Sequence, residues 1–135
     1  NTDFKRVPTV FRPEWKVHAR AYYALQLMGA GEKYHSKIFN EMHKNKKRLD
    51  TLDSITKFLV KQGVNKEEFT DMYNSMSVDG KVRKAIKQLQ GYKISGVPAM
   101  AVNGKYVVSG KSAGSYENMI RIVNYLIKKE TTAKK

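Results

Sequence analysis

Asn103 and Gly104 stand between two short apolar runs, residues 97–102 and residues 106–108. An Asn-Gly pair in such a place is the strongest short-range signal for a β-hairpin, because both residues accept the positive φ angles of a tight turn. The returning run ends at Gly110. The sequence therefore predicts one antiparallel hairpin in this part of the chain.

The preceding residues repeat their apolar side chains every three or four positions, which is typical of helices with one buried face. Five helices are expected before the hairpin: one from Pro13 to Gly29, one over residues 32–46, one between Thr51 and Gly63, one starting at Asn65, and one over residues 78–90. Thr51 is expected to cap the third helix, and residues 65–68 resemble a capping box for the fourth.

Each end of the chain carries one more predicted element. Residues 3–7 read as a short strand that Pro8 ends, because proline cannot continue a central ladder. Ser115 is expected to cap a last helix, and residues 131–135 are expected to fray. The buried side of this last helix is expected to comprise Tyr116, Ile120, Val123 and Ile127.

The chain has 135 residues and no cysteine. A chain of this length forms one domain with a real hydrophobic core. Without cysteine it provides no disulfide, no thiolate nucleophile and no cysteine-based metal site. No apolar run is long enough to predict a membrane-spanning helix.

The net charge is +14, from 26 basic and 12 acidic residues. A positive field of this size favours acidic partners, membrane surfaces or nucleic acid. The charges cluster only at residues 44–48 and from Lys128 onwards, and we interpret both clusters as solvated faces. No aromatic residues alternate with them to stack on bases, so no nucleic-acid partner is expected, and a basic nucleic-acid-binding helical domain is the weaker alternative.

Residues 96–106 read GVPAMAVNGKY. This segment resembles the proline loop and hairpin of the DsbA-like thiol–disulfide oxidoreductases, whose pattern is G-(V/T)-P-(A/T), a short apolar strand and NGKY. Residues 19–29 resemble the first helix of that family's insert, and residues 69–78 resemble its FxxxYNSxxV stretch. The resemblance extends over residues 4–129.

The resemblance implies an α+β, thioredoxin-like fold with a helical insert. The fold would be incomplete, because the family's first strands and its CxxC helix are absent from these residues. Residues 1–10 and 91–130 would form the thioredoxin-like part. Residues 11–90 would form the helical insert. The last helix of this insert would pack on the sheet. An unpaired strand at residues 3–7 would then need a partner from another copy or from a missing N-terminal segment.

The resemblance also implies a function. The parent protein would be an enzyme that donates disulfides to extended, thiol-containing polypeptides in the periplasm, reoxidised by a DsbB-like membrane protein. The catalytic cysteines do not occur in this chain, so the chain alone is expected to be inactive. Only Gly96, Val97 and Pro98 carry over, as one wall of the active site. The family implies a cis Val97–Pro98 bond that presents the main chain of Val97 to a substrate strand.

A second hypothesis is a non-catalytic, thioredoxin-like module that binds peptides without cysteines. No metal and no cofactor are expected. His35 and His43 lie eight residues apart on one predicted helix, which separates them by ~12 Å, too far to share a metal. His18 lies on another predicted helix. The tyrosines at positions 22, 23, 34 and 73 are interpreted as packing residues.

Overall fold

The computed structural model describes residues 2–133. Seven helices and two strands occur within them. Their bounds are α1 Trp15–Leu27, α2 Gly31–His43, α3 Leu52–Lys61, α4 Lys66–Tyr73, α5 Met76–Gly91, β1 Ala99–Val102, β2 Tyr106–Ser109, α6 Gly110–Ala113 and α7 Tyr116–Ala133. No described helix combines the length and the apolar character that crossing a bilayer requires.

The chain forms two compact units. One comprises Val7–Ile86, and the other comprises Asn1–Arg6 with Lys87–Lys135, of which residues 2–6 and 87–133 are described. The Val7–Ile86 unit contains α1 to α4 and most of α5, with α1 packed on α2 and α4, and α3 packed on α4. Its core surrounds the fully buried side chains of Ile55, Leu59 and Phe69.

Two helix starts in this unit follow from local side-chain chemistry. The Ser54 N–H donates to Thr51 Oγ1 at 3.1 Å, and the Thr51 N–H donates to Ser54 Oγ at 3.2 Å. This capping box starts α3 and confirms Thr51 as the cap. Asn65 caps α4 by accepting the Glu68 N–H at 2.9 Å. The reciprocal bond, in which the Asn65 N–H would donate to the Glu68 carboxylate, is absent within the described residues, and the Glu68 side chain is exposed.

The predicted hairpin is confirmed. Strands β1 and β2 pair antiparallel, with Val102 opposite Tyr106. Asn103 and Gly104 have φ angles of 52° and 68°, and the Lys105 N–H donates to the Val102 C=O at 3.0 Å. Positive φ at both central residues is the signature of a type I′ turn, which matches the right-handed twist of the strands.

The hairpin is covered on one side by α7. Val102 and Val108 point to this side from the two strands, and both are buried. The α7 residues that pack against them are Met119, Val123 and Leu126. Ser115 caps α7 as predicted, since its Oγ accepts the Asn118 N–H at 3.1 Å. A small second core therefore lies between the two-stranded sheet and one helix.

The predicted buried side of α7 is partly wrong. Val123 is buried and Ile127 is half-buried, whereas Tyr116 is 65% exposed and Ile120 is 55% exposed. A helix turns by about 100° per residue, so Ile120 lies about 60° from Val123, at the edge of the buried stripe. Tyr116 lies within about 20° of Val123 but belongs to the first turn of the helix and is not covered there. The apolar face of α7 is therefore larger than the surface that the two-stranded hairpin covers.

The strand predicted at residues 3–7 is not present in the structure, which has a single two-stranded sheet within the described residues. Residues 2–7 are exposed, and Lys5 forms an ion pair with Asp3 at 3.3 Å. A strand needs a neighbour for its ladder hydrogen bonds, and residues 3–7 have none in this structure.

The helix ends also depart from prediction. Helix α2 ends at His43, three residues before the predicted Lys46, where the backbone takes a positive φ of 53°. Residues 131–133, predicted to fray, belong to α7. The hydroxyls of Thr131 and Thr132 donate to the carbonyls of Ile127 and Lys128, four residues earlier. Residues 134–135 of the predicted tail lie outside the described residues.

Candidate functional site

Gly96, Val97 and Pro98 form the loop that leads from α5 into β1. All three are exposed, and Val97 is 53% exposed to solvent. The Val97–Pro98 peptide bond is cis, as the resemblance implied. A Cβ added at Gly96 would meet no atom within 4 Å. The loop is therefore an open surface on which another chain has room to lie.

The main chain of Val97 is available for pairing. Within residues 2–133, neither its N–H nor its C=O has a hydrogen-bond partner. The next carbonyl along the chain, that of Pro98, accepts the Gly110 N–H at 3.4 Å, so the loop is fastened to the end of the hairpin one residue later. The result is an exposed backbone edge with one donor and one acceptor on a fixed support.

The hairpin that follows the loop makes a polar contact with α7 that the sequence does not predict. Glu130 on α7 is buried, and its Oε2 accepts hydrogen bonds from Asn103 Nδ2 at 3.0 Å and from Lys105 Nζ at 3.1 Å. These hydrogen bonds, led by that of Lys105, hold the pKa of Glu130 below its ordinary value. The hairpin turn is thereby tied to the last helix. No sequence signal links partners that lie 25 and 27 residues apart.

A second polar contact missed by sequence reasoning lies in the Val7–Ile86 unit. The side chain of Arg20 is only 15% exposed. Its Nε and Nη2 donate to the Tyr73 C=O at 3.1 and 2.8 Å, and its Nη1 donates to Asp79 Oδ1 at 3.0 Å. The hydrogen bond from Arg20 and the charge of Arg83 lower the pKa of Asp79. This network satisfies the last turn of α4 and is structural rather than catalytic.

The three histidines lie on two helices, His18 on α1 and His35 and His43 on α2. No group of three or more His, Asp or Glu side chains within the described residues is placed to hold an ion. Burial lowers the pKa of His18, and nearby Asp50 opposes this. His35 lies edge-on to Tyr22, with ring centroids 5.9 Å apart, and the ring of His43 contacts that of Phe39 at a tilt of 43°. Tyr23, Tyr34 and Tyr73 are buried in the core of the Val7–Ile86 unit, and Tyr22 packs against it.

Comparison with known proteins identifies relatives along almost the whole chain. The family of DSBA-like thioredoxin domains matches residues 3–119. The thiol:disulfide interchange protein DsbA of Pseudomonas aeruginosa is 39% identical over 132 residues, which are 98% of this chain and 63% of that protein. A crystal structure of Pseudomonas aeruginosa DsbA gives a TM-score of 0.87 at 40% identity, covering 96% of this chain and 68% of the other.

A more distant neighbour extends the comparison of folds. DsbA of Proteus mirabilis, solved with the non-covalently bound peptide PWATCDS, gives a TM-score of 0.71 at 22% identity over 88% of this chain and 66% of the other. The chain spans less than two thirds of the length of the curated relatives it matches. The fold is accordingly the DsbA-like thioredoxin fold, an α+β architecture. On the family match over residues 3–119, this chain belongs to the DSBA-like thioredoxin domain family.

Proposed function

We propose that this chain is part of a thiol–disulfide oxidoreductase that donates disulfides to exported polypeptides. The observation that carries the proposal is the exposed loop of Gly96, Val97 and Pro98 within a chain of the DSBA-like family. Exchange needs a thiolate as nucleophile, and this chain contains no cysteine. The reacting cysteine pair is therefore assigned to a part of the protein outside these 135 residues, and the chain alone is inactive.

The role proposed for the loop is to hold an extended substrate next to the sulfurs. The free N–H and C=O of Val97 pair with a substrate strand, which adds affinity without demanding a particular sequence. Gly96 leaves space for the approaching chain. Pro98 contributes no N–H and no metal ligand beside reactive sulfur. The Proteus mirabilis neighbour with its bound cysteine-containing peptide supports a peptide as the ligand class.

The proposal includes the domain assignment. Residues 1–10 and 91–130 serve as the thioredoxin-like part that carries the loop, and residues 11–90 serve as the helical insert. The separation of Val7–Ile86 as a compact unit supports this assignment. By family, the compartment is the periplasm and the reoxidising partner is a DsbB-like membrane protein.

The thioredoxin-like part also needs a further partner. Tyr116 and Ile120 extend the apolar face of α7 beyond the hairpin, and both are exposed. Apolar surface beside an open two-stranded sheet is suited to cover by an added strand. We assign that strand to the missing N-terminal segment or to another copy of the chain.

The codons upstream of Asn1 provide the direct test. A Cys-x-x-Cys motif there, followed by oxidation of a dithiol peptide by the complete protein, is the expected result. An upstream segment without cysteines would overturn the oxidoreductase proposal. It would favour the second candidate, a non-catalytic peptide-binding module, which the absence of cysteine from this chain supports.

A further inference from the structure

A run of exposed cations follows the C-terminal end of helix α2. Lys44, Lys46, Lys47 and Arg48 follow directly after its last residue, His43, and all four are exposed. We call these four residues the basic cap. Cations are favoured at a helix C-terminus, but the effect fades within the last turn and accounts for one or two of them rather than four.

The segment that carries the basic cap is folded back on the helix. The N–H groups of Lys44 and Asn45 donate to the Asn40 C=O at 2.8 and 3.3 Å, and the Lys47 N–H donates to the Glu41 C=O at 3.1 Å. Asn45 Nδ2 also donates to Glu41 Oε2 at 2.9 Å. These bonds hold the backbone of Lys44 and Lys47 close to the end of the helix.

The same helix end exposes an aromatic ring. Phe39 is 56% exposed, and its ring centroid lies 4.2 Å from that of His43. The acids beside the basic cap are Glu41, which holds Asn45, and Asp50, which pairs with Arg48 at 3.3 Å. Within the described residues, Lys44, Lys46 and Lys47 have no ion-pair partner. Three unpaired cations and one exposed ring therefore share the end of α2.

We propose that the basic cap and Phe39 form a docking site for the surface of a membrane containing anionic phospholipids. Lysine ammonium and arginine guanidinium groups attract the headgroup phosphates, and an exposed ring enters the boundary between headgroups and acyl chains. A single ring next to the cations suits this boundary better than single-stranded nucleic acid, which needs a row of rings for stacking. The site lies wholly in the Val7–Ile86 unit and is independent of the Val97 loop.

Co-sedimentation with lipid vesicles tests the proposal. The complete chain is mixed with vesicles of phosphatidylglycerol and phosphatidylcholine in equal parts, and with vesicles of phosphatidylcholine alone. Binding is expected only to the anionic vesicles. Changing Lys44, Lys46, Lys47 and Arg48 together to Gln should lower the partition coefficient about a hundredfold, because each of the three unpaired lysines near such a surface contributes about fivefold. Phe39→Ser should lower it about threefold to tenfold.

Matched controls separate a local site from the net charge. The variant with Lys61, Lys66, Lys84 and Lys87 changed to Gln has the same net charge as the basic-cap variant, and these lysines are exposed on α3, α4 and α5. It should retain most of the binding. Val60→Ser, at an apolar residue 44% exposed on α3, should have no effect. Circular dichroism of each variant verifies folding.

Four results would overturn the proposal. These are equal binding to both kinds of vesicle, equal loss in the two four-site variants, unchanged binding in Phe39→Ser, and tighter binding to single-stranded DNA than to anionic vesicles at the same salt concentration. The last result would assign the basic cap to nucleic acid. None of these results bears on the thiol–disulfide proposal, which is tested at a different loop.

Discussion

At the scale of single residues, Val97 is the position where a small change should affect the proposed reaction. In the complete protein, Val97→Thr adds a hydroxyl beside the free N–H and C=O that we assign to substrate pairing. The rate of dithiol oxidation is expected to change at least about threefold, since a new polar group there alters how the mixed disulfide is held. Stopped-flow kinetics with a dithiol peptide measures this change.

Val107→Thr is the matched control for Val97→Thr. Val107 is a 39% exposed valine on β2, so the same substitution is made on the same hairpin but away from the loop. Its exchange rate should equal that of the unmodified protein. If Val97→Thr also leaves the rate unchanged, the role assigned to Val97 is wrong.

Arg20 makes the polar contact whose removal should most destabilise the Val7–Ile86 unit. Arg20→Ala removes both donors from the Tyr73 C=O and leaves that carbonyl without them. The free energy of unfolding should fall by about 2–4 kcal/mol, because an almost buried charge-assisted contact is removed together with its packing. Urea denaturation followed by circular dichroism measures the loss.

The neighbouring Arg83 provides the comparison for Arg20. Its side chain is 70% exposed, and it also pairs with Asp79, at 2.7 Å. Arg83→Ala should change the free energy of unfolding by less than about 0.5 kcal/mol, since exposed ion pairs contribute little. Equal losses in the two variants would mean that charge pairing, and not the bonds to the Tyr73 carbonyl, is what matters.

At the scale of elements, Glu130 links the hairpin turn to α7 and makes this contact sensitive to acid. Its folded-state pKa lies below the ordinary value of 4.5 because Lys105 and Asn103 donate hydrogen bonds to it. A lowered pKa means that the carboxylate stabilises the fold above about pH 4.5 and loses this effect as the pH falls through the folded-state pKa. Glu130→Gln should therefore lower the melting temperature by about 2–4 °C at pH 7.

The pH dependence separates this effect from a simple packing defect. Below the folded-state pKa of Glu130, the carboxyl and the Gln amide are both neutral, so the melting temperatures of the two proteins should converge. Thermal unfolding measured from pH 7 to successively lower pH tests this, because the difference should shrink as the carboxyl takes up its proton. A difference between the proteins that stays constant over the whole pH range would contradict the assigned charge effect.

Helix starts and the hairpin turn could be predicted because their causes are local. Thr51 and Ser115 accept an N–H three residues later, and the Asn103-Gly104 pair sets its own φ angles. The strand predicted at residues 3–7 is wrong, because a segment forms a strand only when another strand pairs with it. The predicted buried side of α7 is partly wrong for a related reason. The periodicity marks an apolar face but not the width of the surface that covers it.

At the scale of the whole molecule, the exposed apolar face of α7 should make the isolated chain associate. Tyr116 and Ile120 are 65% and 55% exposed. Apolar surface of this kind favours contact with a second copy or another strand. Sedimentation equilibrium of the 15.5 kDa chain should give a mass that rises with concentration, and the Tyr116→Ser, Ile120→Ser double variant should reduce this rise.

The opposite flank of α7 offers the matched control. Tyr125 and Ile122 are 64% and 38% exposed, so the Tyr125→Ser, Ile122→Ser double variant removes the same residue types from the same helix. Its mass should rise with concentration as for the unmodified chain. A chain that remains a monomer at every concentration would contradict the need for a covering strand.

The candidate site was predicted in part. The GVPA and NGKY segments identified Gly96, Val97 and Pro98 through their resemblance to a family, and the structure places all three in one exposed loop. The role of these residues in substrate binding stays a prediction. The basic cap was noticed in the sequence as a charge cluster, but its position beside Phe39 depends on the backbone folding back onto α2, which no local pattern indicates.

The sequence by itself determined the features whose energies depend on residues within about four positions: the caps at Thr51 and Ser115, the turn at Asn103 and Gly104, and the helical periodicity. Only the tertiary structure decided the contacts of Arg20 with Tyr73 and of Glu130 with Lys105, which join partners 53 and 25 residues apart. It also decided which half of the apolar face of α7 is buried. Such contacts depend on which distant groups the packed core brings together, so neighbouring residues carry no signal for them.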